Sequence, residues 1–279
     1  MQLAMSTLGT PTWDIETLCT RAAAYGYDGV DVRGYLDELD ITRHPAFTDD
    51  LTKTAAQFHE AGLAISALSS SIGLCEPDRR EAALGEARRF MTIVEIFDIE
   101  YIRVFGRGDL DTYDREQLAA FAAETIDELN QIEGATARTW MIETHDHWLE
   151  HAHISQLLDA IDASNVHVLW DIGNTLRFTD DTPEDTVTAL GSEICYVHLK
   201  DASYDPTHPG AMDDGWRYVV PGAGDLPLES AIELLIADGY DGWYAFEHEK
   251  RWHPELPDAE EIYPACVEWI QGIAQRRTS

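Results

Sequence analysis

Strand-like and helix-like segments alternate without a break along all 279 residues, and this order limits the possible folds more than any other feature of the chain. Apolar runs with strand character occupy 3–6, 29–33, 63–68, 101–105, 140–143, 166–171, 194–200 and 242–247. Between them lie stretches with helical spacing at 15–25, 47–60, 80–97, 116–132, 154–161, 184–190 and 228–237, with a last one near 260–274. Such alternation calls for a parallel sheet, because parallel neighbours need a crossover, usually a helix. Eight units suffice to close that sheet, and a closed barrel usually takes roughly 250 residues. The expectation is an α/β chain folded as a single (β/α)8 TIM barrel. It would form one domain over 1–279, with its active site at the C-terminal ends of strands five to eight. The structural rival is an open doubly wound sheet. Against it stand the lack of a Gly-x-Gly-x-x-Gly turn after the first strand and the polar residues gathered at the ends of several strands. The longest irregular stretch, 201–225, reads as a βα loop that covers the site.

Charge is the unusual quantity. Against 52 acidic residues stand 19 basic ones, giving a net charge of −33, and the lysines are Lys53, Lys200 and Lys250. Such a surface repels nucleic acid and anionic membrane, so neither is an expected partner. Acid-rich, lysine-poor surfaces resemble those of halophilic proteins, where salt screens the self-repulsion. Cys19, Cys75, Cys195 and Cys266 show no C-x-x-C spacing and read as buried thiols in a reducing compartment. The first residues, MQLAMSTLG, lack a basic region followed by an apolar run, and no segment approaches the roughly 20 apolar residues of a membrane span. A cytoplasmic protein is expected.

Four strand-like runs end in a residue that can ligate a metal: W-M-I-E at Glu143, V-L-W-D at Asp171, C-Y-V-H at His198 and Y-A-F-E at Glu247. Taken singly, an acid at a strand end is more often a helix cap or an ion-pair partner, and a lone histidine more often a satisfied core group. Four of them at the ends of strands five to eight would converge on one barrel mouth. That gathering is costly unless a cation neutralises it. Three carboxylates and one imidazole suit one divalent metal ion, manganese or magnesium first, with cobalt, iron or zinc also compatible.

The stretches Y-I-R-V-F-G (101–106), M-I-E-T-H (141–145), L-W-D-I-G-N-T (169–175), Y-V-H-L-K-D (196–201) and G-Y-D-G-W-Y-A-F-E (239–247) resemble the xylose isomerase-like sugar phosphate isomerase/epimerase superfamily. So do the opening S-T-L-G-T-P-T-W-D and the run A-A-A-Y-G-Y-D-G-V-D-V-R at 22–33. The resemblance covers nearly the whole chain and is specific to the superfamily, not to one substrate. It implies that Glu143, Asp171, His198 and Glu247 bind the metal and that Glu143 and Glu247 form the proton-transfer pair. It also implies that Arg217, before V-V-P-G-A-G-D, contacts substrate oxygens. In one departure, relatives often carry histidine three residues after the aspartate where this chain has Asn174, which puts a second metal there in doubt and leaves Asn174 as a hydrogen-bonding contact.

The reaction that follows is isomerisation or epimerisation of a sugar or sugar derivative, by proton transfer through a metal-bound cis-enediolate. Further substrate contacts are expected from Lys200, which shares a strand face with His198, from His145 two residues past Glu143, and from Arg103 near the end of the fourth strand. Each also has a plain structural reading: ion pairing for Lys200 and Arg103, and a solvated loop of His145, His147, His151 and His153, or a zinc site among those four. Few basic residues near the mouth disfavour a phosphorylated substrate. The substrate would be a small carbohydrate or hydroxy-keto compound. A dehydratase of the inosose or 3-dehydroshikimate type uses the same chemistry and is the alternative. A DNA-repair endonuclease, which needs three metals and a phosphate groove, and a non-catalytic sugar-binding barrel are further rivals. Trp216, Trp243 and Trp252 are placed near the mouth, where they could line a pocket, cap it or meet the partner subunit of a homo-oligomer, with core packing as the plain reading of Trp243.

Overall fold

The period-two alternation of the apolar runs decides where each side chain goes. In the computed structural model, which describes residues 1–278, the strands are β1 (Gln2–Ser6), β2 (Gly29–Val32), β3 (Ala64–Gly73), β4 (Tyr101–Phe105), β5 (Thr139–Glu143), β6 (Val166–Asp171), β7 (Ile194–Leu199), β8 (Asp201–Tyr204), β9 (Trp216–Val219) and β10 (Trp243–Phe246). The helices are α1 (Ile15–Tyr25), α2 (Leu51–Ala61), α3 (Arg80–Phe97), α4 (Arg115–Leu129), α5 (His151–Ile161), α6 (Ile172–Phe178), α7 (Pro183–Leu190), α8 (Leu228–Asp238) and α9 (Ala259–Thr278). β1 to β7 and β10 close into a barrel in the order β1-β10-β7-β6-β5-β4-β3-β2, every pairing parallel. This is the TIM barrel read from the sequence. The one-domain reading extends to Ser279, which lies outside the described residues.

Residues facing out of the barrel, such as Trp140 and Ile142 on β5 and Val197 and Leu199 on β7, join the large apolar layer under the helices. Each aliphatic side chain buried there contributes about 1.5–3 kcal/mol relative to exposure. Facing inward, Ala4, Ala67, Met141, Leu169, Tyr196 and Ala245 form a second apolar cluster inside the barrel. Two residues further along each strand, and so one step nearer the C-terminal mouth, the inward positions turn polar: Ser6, Ser69, Glu143, Asp171, His198 and Glu247. The apolar layer is the floor of the candidate site.

Four local expectations are corrected. The stretch 201–225 contains the antiparallel hairpin β8–β9; alternation in W-R-Y-V is too short to stand out from a loop. The second helix begins at Leu51 rather than 47, because Pro45–Phe47 forms a 3-10 turn and Thr48, Asp49 and Asp50 are turn-favouring residues. Trp243 opens β10 and lies at the end of the barrel opposite the mouth, packed beside the inner cluster. Three cysteines are buried, whereas Cys195 is partly exposed.

Candidate metal centre and active site

Each of the four donor residues comes from the same local logic: an apolar strand carries the chain to the mouth, and the first inward position beyond the floor is a donor. Glu143 ends β5, Asp171 ends β6, His198 is the penultimate residue of β7, and Glu247 follows β10. These strands are consecutive in the barrel. One donor atom from each residue can be chosen so that all four lie within 4.8 Å of one another.

The individual contacts orient the donors. His198 Nε2 lies 2.8 Å from Asp31 Oδ2, and the other Asp31 oxygen accepts from Ser69 Oγ at 2.8 Å. With Nε2 so engaged, Nδ1 faces the three acids, 3.6 Å from Glu143 Oε1, 4.0 Å from Asp171 Oδ2 and 3.6 Å from Glu247 Oε1. The second oxygens point elsewhere. Arg103 donates to Glu143 Oε2 at 2.8 Å, Lys200 Nζ lies 2.6 Å from Glu247 Oε2, and Asp171 Oδ1 caps α6 by accepting from the Asn174 amide at 2.8 Å. Asp171 is thus both the helix cap and the inward-facing acid.

Two buried atoms of this group, His198 Nδ1 and Asp171 Oδ2, have no hydrogen-bond partner, although Lys200 Nζ stands 3.0 Å from the latter as an ion pair. Buried polar atoms left in this way are rare and mark a missing counterpart. Ligands at about 2.1 Å from one ion sit roughly 3.0–4.2 Å from one another, which matches the 3.6–4.0 Å spacings around Nδ1. A carboxylate behind the imidazole is the usual support of a metal-ligating histidine. The residues therefore fit a divalent cation.

Electrostatics agree. Burial pushes the Glu143 carboxyl up, but Arg103, His198 and His145 outweigh it and hold the group well below the usual carboxylate range. Burial also raises Glu247, which Lys200 and His198 bring below its ordinary value. Asp171 is raised to about 6 by burial, with Glu247 and Glu143 adding to the rise against Lys200. For His198 burial acts downward, and Glu247, Asp31 and Glu143 drive it well above the usual imidazole range. A cation bound at Nδ1 would displace that proton.

The substrate contacts expected from the sequence separate into groups. Arg103 and Lys200 are held by the acids: Arg103 by Glu143, and Lys200 by Asp171, Glu247 and Glu249. His145 stacks edge-on against Phe105 at 4.9 Å and pairs with Asp146. With Asp146, Leu149, Asn174 and Phe178 it lines a cavity of about 290 Å³ that contains none of the four donors, although His145 and Asn174 follow Glu143 and Asp171 closely in the chain. A larger hollow of about 770 Å³ holds His167 and Glu193 at the far end of β6 and β7 and contains none of the four donors. Arg217 lies on β9 opposite Ser203. The acids that feel its charge are Asp205 and Asp225, not the four donors. Its neighbour Tyr218 is the hairpin residue that reaches the cluster, with Lys200 Nζ 5.7 Å from the ring centroid. The four loop histidines do not gather: His151 pairs with Asp181 and His153 with Glu150.

Sequence reasoning missed Asp31, Arg33, Tyr218 and Glu249. The signal for the first two was present in G-V-D-V-R, where period two puts Asp31 and Arg33 on the inward face. Burial, and Arg103 next, pull the Arg33 guanidinium down to about 9.

The chain is similar to several known proteins. An inosose dehydratase of Geobacillus thermodenitrificans is 27% identical over 139 residues, 45% of this chain and 46% of that one, so the match spans less than half of the curated relative. The 3-keto-D-glucoside 4-epimerase YcjR of E. coli superposes with a TM-score of 0.75 at 16% identity, over 98% of this chain and 99% of that one. The IOLI protein, solved with a bound zinc atom, superposes with a TM-score of 0.80 at 17% identity, over 99% of each chain. At such identities the structural likenesses speak for the fold alone. The family model described as xylose isomerase-like TIM barrel matches residues 19–273, and the chain belongs to that family.

Proposed function

We propose that this chain is a metal-dependent enzyme that isomerises or epimerises a small sugar or sugar derivative by moving a proton at the carbon next to a carbonyl. The observation that carries the reading is the division of labour within the acids. Glu143 and Glu247 each turn one oxygen toward the centre shared with His198 Nδ1 and anchor the other on a cation. In the barrel β5 and β10 flank β6 and β7, so the two glutamates approach a substrate from opposite sides. One removes the proton, and a proton is returned to the opposite face or to the neighbouring carbon. Arg103 and Lys200 hold both glutamates below the ordinary carboxylate range, so either can accept the proton. The acid so formed can return it to the neighbouring carbon, whereas delivery to the opposite face requires the other glutamate first to take up a proton from solvent. A divalent ion held by Glu143, Asp171, His198 and Glu247 supplies electrostatic stabilisation for the negative charge that develops on the substrate oxygens. Manganese or magnesium suits the oxygen-rich donor set, and the zinc of the IOLI protein keeps zinc among the alternatives with cobalt and iron.

His145, Asn174 and Arg217 are assigned to the substrate; for His145 and Asn174 the support is the cavity they share. The likeness to an inosose dehydratase favours a second reading in which the same deprotonated substrate expels a hydroxyl group. No helix among the described residues is long and apolar enough to cross a membrane, in keeping with a cytoplasmic setting. The −33 charge supports adaptation to high salt.

Proton–deuterium exchange by NMR tests the proposal. Manganese-loaded protein in D₂O is incubated with ketoses, hydroxypyruvate, inosose and 3-dehydroshikimate. Exchange next to the carbonyl is expected, lost in Glu143→Gln and Glu247→Gln, and the product separates isomerase from dehydratase. Silence across the panel with metal verifiably bound sinks both readings.

A further inference from the structure

Nearly every charge at the mouth is matched. Arg103 is matched by Glu143, and Lys200 by Asp171, Glu247 and Glu249. Arg33 is the buried exception among the described residues; Arg217 and Arg251, which also form no ion pair, are partly exposed. Arg33 stands just past the end of β2, two residues beyond Asp31, and therefore inward and one step nearer the mouth than the Asp31–His198 pair. Its side chain crosses to β3, where Nη1 lies 3.1 Å from Ser71 Oγ and 3.5 Å from the Ser69 carbonyl oxygen. Both acceptors are neutral. The residue is only 8% exposed, yet among the described residues no carboxylate comes within 4.0 Å of it. The acids that feel its charge, Glu86, Glu143 and Glu247, stand outside that range, and the last two are held by Arg103 and Lys200. A second buried cation acts on it: the charge of Arg103 opposes that of Arg33, and Arg103 is 2% exposed, lies 3.8 Å over the Phe105 ring, and keeps its Nε without a hydrogen bond.

A buried cation without a counter-ion is expensive, and doubly so beside another cation. A guanidinium is also the side chain best shaped to take a carboxylate or phosphate through two parallel hydrogen bonds. We propose that Arg33 is the anion-binding residue of the substrate site, and that the substrate carries a carboxylate or phosphate group which pairs with Arg33 while its carbonyl end faces Glu143 and Glu247. The inference rests on the proton-transfer reading of the same centre and narrows its substrate to anionic hydroxy-keto compounds. Arg33, arriving from the second strand, adds one buried basic residue to the few that the sequence places near the mouth.

Calorimetric titration of the manganese-loaded protein tests this without requiring turnover. The probes are 3-dehydroshikimate for a carboxylate, fructose 6-phosphate for a phosphate, and inosose and fructose as neutral counterparts. One anionic probe is expected to bind at least about 10-fold more tightly than its neutral counterpart, and which one does so identifies the group. Arg33→Met removes that preference while manganese affinity is retained; Arg33→Lys, which keeps the charge but loses the planar fork, retains part of it. Should Arg33→Met fail to fold, the partial loss in Arg33→Lys carries the test. Equal binding of charged and neutral probes, no binding by either anion, or a preference that survives both substitutions overturns the proposal. Deuterium exchange is read separately: anion-selective binding without exchange would overturn the proton-transfer reading and leave the anion site standing.

Discussion

Asp31 spends both carboxylate oxygens on orientation, one toward His198 Nε2 and the other toward Ser69 Oγ. It is a positioning residue: it fixes which imidazole nitrogen faces the acids without itself facing the substrate. Asp31→Ala is expected to lower divalent-metal affinity about 10–100-fold, read by calorimetry on the metal alone, with Asp31→Asn between the two. An unchanged affinity would reduce Asp31 to packing. Glu86 on α3 gives a pH-dependent case. Burial raises its carboxyl above the ordinary value against the hydrogen bond from the Ser71 amide, so the folded state holds the proton more tightly than the unfolded one. Its contribution to stability is fully present below the unfolded value near 4.5 and is lost as pH rises through the folded one. Glu86→Gln should therefore raise the melting temperature at pH 7, and the gain should vanish toward pH 4; a pH-independent difference would deny the linkage. At this scale the four donors were legible because each ends an apolar run. Period two marked Asp31 and Arg33 as inward but not their roles, since an acid inside a strand with an arginine two residues on looks like any edge of polarity, and their partners on β3 and β7 are remote in the chain.

The hairpin β8–β9 is pinned at its root by one side chain. Asp201 accepts hydrogen bonds from the amides of Ala202 at 2.8 Å, Gly222 at 2.8 Å and Gly224 at 3.0 Å, tying the start of the segment to its end. A Cβ at Gly224 would fall 2.0 Å from Asp201 Oδ1, so glycine is required for that approach. Asp201→Ala leaves three amides without their acceptor and is expected to cost about 2–4 kcal/mol in urea unfolding. A cost below roughly 0.5 kcal/mol would mean that water replaces the carboxylate at no penalty. The barrel elements were readable because strands such as β4 and β6 and helices such as α1 and α3 carry full-length periodicity. The hairpin and α6 were not. β9 is four residues long, and α6 starts directly after Asp171, the residue that both ends β6 and caps the helix, so no turn signal separates them.

For the molecule as a whole, the −33 charge is the quantity without a local explanation. The basic residues are heavily engaged, as in Arg80 with Glu124 and Glu128 and Lys250 with Asp258. With 52 acids against 19 bases, most acids nevertheless face like charge, and the compact state concentrates that repulsion more than an expanded chain does. Screening shortens the reach of each charge from about 10 Å at 0.1 M salt to about 3 Å at 1 M. The melting temperature should accordingly climb by roughly 5 °C or more between 0.1 and 1 M potassium chloride. Screening and surface exclusion are separable, because chloride works mainly through ionic strength whereas sucrose acts without charge. A sucrose series matched for the same stabilisation should leave the salt response intact, and replacing several exposed acids, for example Glu60, Glu116 and Asp241, with lysine should flatten it. A melting temperature indifferent to potassium chloride would show that the surface acids are far enough apart to be screened already, and would remove the physical basis for reading this chain as adapted to high salt.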